Sequence, residues 1–161
     1  MGACSSSSAL PANEPRHPYV LALVQSFEHQ SLKAGVPGIL VRLTSIYIAI
    51  KIKMLPPNAT KADQAKTVRQ AIYEFSNPTA PTNDPTHPFN LALLTLTMCD
   101  LNGRYGVPAH FLPLVRMAIL SKITNLPPNA TRDEVVKAFD IEFETLPAGF
   151  EGKVDAKMKE G

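Results

Sequence analysis

The chain has 161 residues, 45% of them hydrophobic, with a net charge of +2 and two cysteines. These values describe an ordinary globular chain of one domain's length; they exclude a disordered chain and a disulfide framework, and the charge is too small to imply a nucleic-acid partner. Fifteen prolines, about twice the usual ~5% share, predict short elements with frequent stops.

In chain order, the first element is a leader, residues 1–10, beginning MGACSSSS. Glycine, cysteine and four serines are poor material for a helix or strand. Gly2 behind the initiator methionine, small residues after it and Ser6 at the fifth position of the processed chain fit the N-myristoylation pattern. One myristoyl chain gives only marginal membrane binding, of order 10⁴ M⁻¹, so a second signal is needed, and a palmitoyl group on Cys4 would supply it. The string also resembles the amino termini of dually acylated eukaryotic proteins, including the flagellar calcium-binding proteins of trypanosomatids. The resemblance covers about eight residues. It implies myristate on Gly2, palmitate on Cys4 and a place on the cytoplasmic face of a plasma or flagellar membrane. Calcium binding does not carry over: DLNGRYGVP, from Asp100, begins like a calcium loop but has Tyr105 where glycine is needed and Phe111 where a bidentate acid is needed. A disordered leader and a trimmed bacterial lipoprotein with its lipid on Cys4 are the alternatives. The leader lacks the charged and apolar regions of a secretory signal, so synthesis is expected to end in the cytosol with both thiols free.

The rest of the chain is a tandem repeat. PANEPRHPYVLALV at 11–24 recurs 70 residues later as PTNDPTHPFNLALL, and GVP and LPPNAT both recur 71 residues later. Copies therefore span 11–75 and 81–146. Residues 76–80 lie between them in the stretch SNPTAPTNDPT, which reads as a linker, and 147–161 form a polar tail expected to be flexible.

Each copy reads as three helices. The first starts at HPY or HPF, with proline at the first helical position, and runs to Ala34 or about Asn102, with Gly35 and Gly106 as terminators. Pro37 opens the second helix, and Pro113 delays its counterpart. Ile46, Ile48, Ile50 and Ile52 alternate as in a strand, but the matching Val115, Ile119, Ile123 and Leu126 follow helical spacing. Duplicated segments share a fold, so both are assigned to helix. No membrane span is expected, since Arg42, Lys51 and Lys53 interrupt the apolar run. The third helix starts at Thr60 or Thr131, where TKAD and TRDE give capping boxes. Its buried stripe is expected at Ala65, Val68, Ile72 and Phe75, and at Val136, Phe139, Phe143 and Leu146. The expected fold is an all-α, six-helix single domain with approximate two-fold symmetry, because ~70 residues alone bury only ~60% of their chain surface.

Few motifs point to chemistry. The NAT triplets at Asn58 and Asn129 match the glycosylation pattern, but their threonines serve as helix caps. LPPNATRDEVVKAF resembles the turn into the second helix of J-domain cochaperones over some fourteen residues; the His-Pro-Asp triplet that family needs is absent after it, and no function carries over. His17 and His87 precede first-turn prolines with no ligand or acid at metal spacing, and His29 and His110 do not recur, so no metal or cofactor site is expected. No phosphate loop or nucleophile elbow is present. Cys99, in an apolar run, reads as a buried structural thiol. Lys51, Lys53, Lys61, Lys66 and Arg69 form a basic set echoed only by Lys122, Arg132 and Lys137; near an anionic leaflet each would contribute about 1 kcal/mol.

The first reading is a non-enzymatic, membrane-tethered interaction or scaffold protein with an unidentified protein partner. The second is a carrier of lipid or a small apolar ligand, with Met54, Phe89, Met98, Phe111 and Met117 lining a cavity. An enzyme, or a secreted effector, with a site assembled in space is the third.

Overall fold

The computed structural model describes residues 10–139. Gly2 and Cys4, the tail, and Phe143 and Leu146 lie outside them. The protein is all-α: the described residues hold six α-helices and one 3₁₀ turn, and no strand. The chain divides into two compact units between Pro78 and Thr79, inside the expected linker.

Unit 1 contains α1 (Pro18–Lys33), α2 (Gly38–Lys53) and α3 (Lys61–Ser76), each packed against the other two. Pro18 occupies the first position of α1, where a missing N–H breaks no bond. The cap is His17, whose Nδ1 accepts the Tyr19 N–H at 3.1 Å. At the other end Gly35 has φ +88°, and Gly35 N–H and Val36 N–H reach back to Leu32 O and Ser31 O. This is a complete Schellman stop, and it requires the left-handed backbone that glycine adopts most readily. Ile48 and Ile52, four apart, are fully buried, so the isoleucine run is helical. Thr60 Oγ1 accepts Asp63 N–H, and the Asp63 carboxylate accepts Thr60 N–H, which closes the capping box of α3.

Unit 2 contains α4 (Pro88–Gly103), a 3₁₀ turn (Ala109–Phe111), α5 (Leu112–Thr124) and the short α6 (Arg132–Lys137). His87 caps α4 through Nδ1, accepting Phe89 N–H at 3.1 Å, and Thr131 with Glu134 closes a second capping box. Pro113 sits in the first turn of α5, behind the 3₁₀ turn. The residue that changes the repeat offset from 70 to 71 is absorbed where α4 ends. There Tyr105 N–H reaches back five residues to Asp100 O, and Val107 N–H six to Leu101 O. Val107 is thereby fully buried with Val115, Ile119 and Ile123, whereas its counterpart Val36 is 38% exposed.

Three expectations are corrected. The buried stripe of α3 keeps the expected Val68 and Phe75 but has Gln64 and Ala71 in place of Ala65 and Ile72; after Thr131, Phe139 packs on the core as expected, while Val135 and Ala138 are buried and Val136 is 43% exposed. The exchanged residues stand four positions before the retained ones, Gln64 before Val68 and Ala71 before Phe75, and Gln64 is held inward by its bond to the Ala12 carbonyl. Cys99 is exposed rather than buried, since near the end of α4 it is Met98 and Leu101 that pack on the unit 2 core. Residues 81–86 are not linker: Thr82 N–H binds Pro128 O at 3.0 Å, as Ala12 N–H binds Pro57 O at 2.9 Å, so this segment is folded into its unit.

Candidate functional site

The stretch from Pro11 to His17 is built as two consecutive turns, with Glu14 N–H on Pro11 O and His17 N–H on Glu14 O. Its start is anchored twice. Ala12 N–H donates to Pro57 O in the double-proline turn, and Gln64 Nε2 of α3, 1% exposed, donates to Ala12 O at 3.0 Å. The chain that precedes residue 10 therefore joins unit 1 at the end formed by the close of α2, the double-proline turn and the start of α3.

Four of the five predicted basic residues are exposed there or along α3, and the structure gives them different surroundings. Lys53, in the last turn of α2, acts on the Glu14 carboxylate, which the Arg16 guanidinium, at 2.9 Å, already holds below the ordinary carboxylate range. Lys61 places its Nζ 5.4 Å from the Tyr19 ring centroid, and Arg132 repeats the contact over Phe89 at 4.7 Å. Lys66 and Arg69 are exposed on α3. Lys51 is half-buried, 3.7 Å from Glu74, which also accepts the Tyr47 hydroxyl at 2.7 Å and a Gln70 amide N–H. The Tyr47 bond first, then Lys51, keeps Glu74 low, while burial followed by that bond drives the Tyr47 hydroxyl upward. Lys51 is thus part of an internal ion network.

Between Lys53 and Lys61 stands Met54, 72% exposed, followed by two exposed prolines. The five residues expected to line a ligand cavity do not share an environment. Met54 and Met117 face solvent, at 72% and 66% exposure, Phe89 is buried, and Met98 and Phe111 pack on the unit 2 core. At the turn between α1 and α2, Leu32, Val36 and Ile39 are exposed by 55, 38 and 54%. No cluster of three or more His, Cys, Asp or Glu that could hold a metal occurs among the described residues. No helix among them is long and apolar enough to cross a membrane. His87 is buried beside Arg132 and Asp84, while His29 and His110 are exposed and His110 stacks on Phe111.

Sequence reasoning overlooked Gln64, Asn90 and the exposure of Met54. A signal existed for the first two: each is a polar residue where the other copy has valine, at Val135 and Val20 respectively. Comparison with protein-family models, curated proteins and solved structures finds no match to this chain.

Proposed function

We propose that this chain is a non-catalytic helical interaction module held at a membrane by myristate on Gly2 and palmitate on Cys4. The observation that carries the reading is the way the leader meets the body. Ala12 is bonded to Pro57 and to Gln64, so a segment of nine residues ends on a fixed point. Fully extended, nine residues reach about 30 Å, which keeps an anchored body close to the bilayer. The interaction role draws on Leu32, Val36 and Ile39, exposed at the opposite end of α2, which spans about 24 Å. With the anchor at one end of unit 1, that apolar turn is presented away from the membrane to a protein partner on the cytoplasmic side.

The test is metabolic labelling with a myristate analogue together with fractionation of wild type, Gly2→Ala and Cys4→Ser. The expected result is label and membrane association that vanish in Gly2→Ala, and association that weakens in Cys4→Ser. A mature amino end that is unmodified or only acetylated overturns the proposal.

A further inference from the structure

The repeat supplies an internal control on what the double-proline turn needs in order to fold. Both copies have the same LPPNAT turn, the same leading-segment bond from residue 12 or 82 to the second proline's carbonyl, and the same capping box after it. In unit 2 the two residues before the turn are Thr124 and Asn125; in unit 1 they are Lys53 and Met54. The fold is satisfied by the polar pair, so nothing in the turn itself asks for a methionine left 72% exposed. Single exposed apolar side chains are common on protein surfaces, and Met117 is 66% exposed as well, so Met54 is set apart by the charge and the leader around it.

Charge at this end is predominantly basic: Glu14, which Lys53 also faces, is paired with Arg16 at 2.9 Å, and Lys51 is taken by Glu74, which leaves Lys53 and Lys61 at the turn. From Lys51 to Arg69 the chain carries five basic residues and a single acid, Asp63, whose carboxylate is occupied by the Thr60 N–H at 3.0 Å. Lys53 and Lys61 flank Met54, Pro56 and Pro57, and the leader arrives at the same place through Ala12. The turn thus combines a short apolar tip, a basic rim and the point from which the acylated segment extends. That combination matches an anionic lipid surface, where methionine enters the acyl boundary and lysines remain at phosphate depth.

We infer that the double-proline end of unit 1 seats on an anionic leaflet, with Met54 inserted and Lys53 and Lys61 on lipid headgroups. This fixes the orientation of the body, and it rests on the proposed anchoring for its place in the cell but not for its chemistry.

The experiment supplies the anchor chemically. Full-length chain with Cys99→Ser is coupled through Cys4 to one tetradecyl chain, which alone gives marginal partition of order 10⁴ M⁻¹ and leaves further contacts measurable. Partition is measured on phosphatidylcholine vesicles with and without phosphatidylserine. Each lysine at the surface multiplies partition by about five, so Lys53→Gln with Lys61→Gln lowers it about 25-fold on the anionic vesicles and little on the neutral ones. Grafting the unit 2 pair, Lys53→Thr with Met54→Asn, lowers it at least about fivefold, and the fold of unit 2 shows that the turn tolerates that pair. Ile39→Ser leaves it unchanged. The chain has no tryptophan, so Met54→Trp and Ile39→Trp each introduce a single indole reporter. Fluorescence of the Met54→Trp variant shifts to the blue and is quenched by spin-labelled lipid, and that of the Ile39→Trp variant does neither. Wild-type partition by the graft, or equal quenching at the two sites, overturns the inference. Because the anchor is attached in vitro, either result stands whether or not cells acylate Gly2.

Discussion

Gln64 and Asn90 satisfy the same backbone carbonyl of the repeat from different helices. In unit 1 the carbonyl of Ala12 accepts from Gln64 Nε2 on α3; in unit 2 the equivalent carbonyl, that of Thr82, accepts at 2.8 Å from Asn90 Nδ2 on α4. The position equivalent to each amide in the other copy is valine: Val20 stands at the Asn90 position in unit 1 and Val135 at the Gln64 position in unit 2, both 1% exposed. One buried amide per copy meets the requirement, because a buried carbonyl needs a donor and a second amide would itself lack a partner.

Gln64→Val is therefore expected to destabilise by about 1–3 kcal/mol, the cost of a buried carbonyl left without a donor. Adding Val20→Asn to that variant recreates the unit 2 arrangement and is expected to recover half or more of the loss. Urea unfolding of the single and double variants measures both steps, and a double variant no more stable than Gln64→Val would disprove the exchange.

His87 makes stability fall with acid. Burial first, and then the neighbouring Arg132 charge, lower its pKa, with Asp84 opposing them. Its Nδ1 must remain unprotonated to accept Phe89 N–H. The unfolded chain, with a histidine value near ~6.5, binds the proton more readily, so this contribution is complete above that pH and is lost as pH falls through it toward the folded value. Melting temperature should drop between about pH 7 and 5, and His87→Asn, a good helix cap without a titration, should flatten that drop.

The two capping boxes contribute similar local terms. Thr60→Ala and Thr131→Ala should each destabilise by about 1 kcal/mol. Asp63 and Glu134 are held below the ordinary carboxylate range chiefly by the N–H of the capping threonine. Their contribution is present above the unfolded carboxylate values, near ~4, and disappears as pH falls below them. Alanine keeps that backbone N–H and removes only the hydroxyl, the second cause, so each acid should rise part of the way toward the ordinary value, readable by NMR titration.

Gly35 and Gly38 should respond to alanine in opposite directions. A Cβ at either meets nothing within 4 Å, so space does not decide the outcome. Gly35 has φ +88°, where an L side chain costs about 1–2 kcal/mol, so Gly35→Ala should lower stability by that amount. Gly38 lies in the first turn of α2 with ordinary helical backbone, and Gly38→Ala should raise stability by about 0.5 kcal/mol through loss of unfolded-state freedom. Thermal unfolding of the pair separates backbone conformation from packing.

Where helices begin and end was legible because those signals are local. Pro18 and Pro88, Gly35 and the threonine–acid pairs act within one turn of chain, and the structure has a helix boundary at each, whereas Gly106 follows the end of α4 at Gly103 by three residues. The repeat resolved the isoleucine run, since Val115, Ile119 and Ile123 show a helical spacing that the alternating residues of α2 conceal. The basic set could be found by composition, but not its division: Lys51 is tied to Glu74 across helices, 23 residues away in sequence, and no local pattern signals that.

The amino-acid sequence by itself determined the all-α class and the helix boundaries, because these depend on contacts among residues a few positions apart, and it carried the repeat as a plain match of the chain to itself. Tertiary structure alone decided which face of α3 and α6 is buried, that Cys99 and Met54 meet solvent, and which amide serves the leading segment's carbonyl. The physical reason is that burial and hydrogen-bond partnership belong to pairs distant in sequence: Gln64 and Ala12 lie 52 positions apart, and only packing brings them within 3.0 Å.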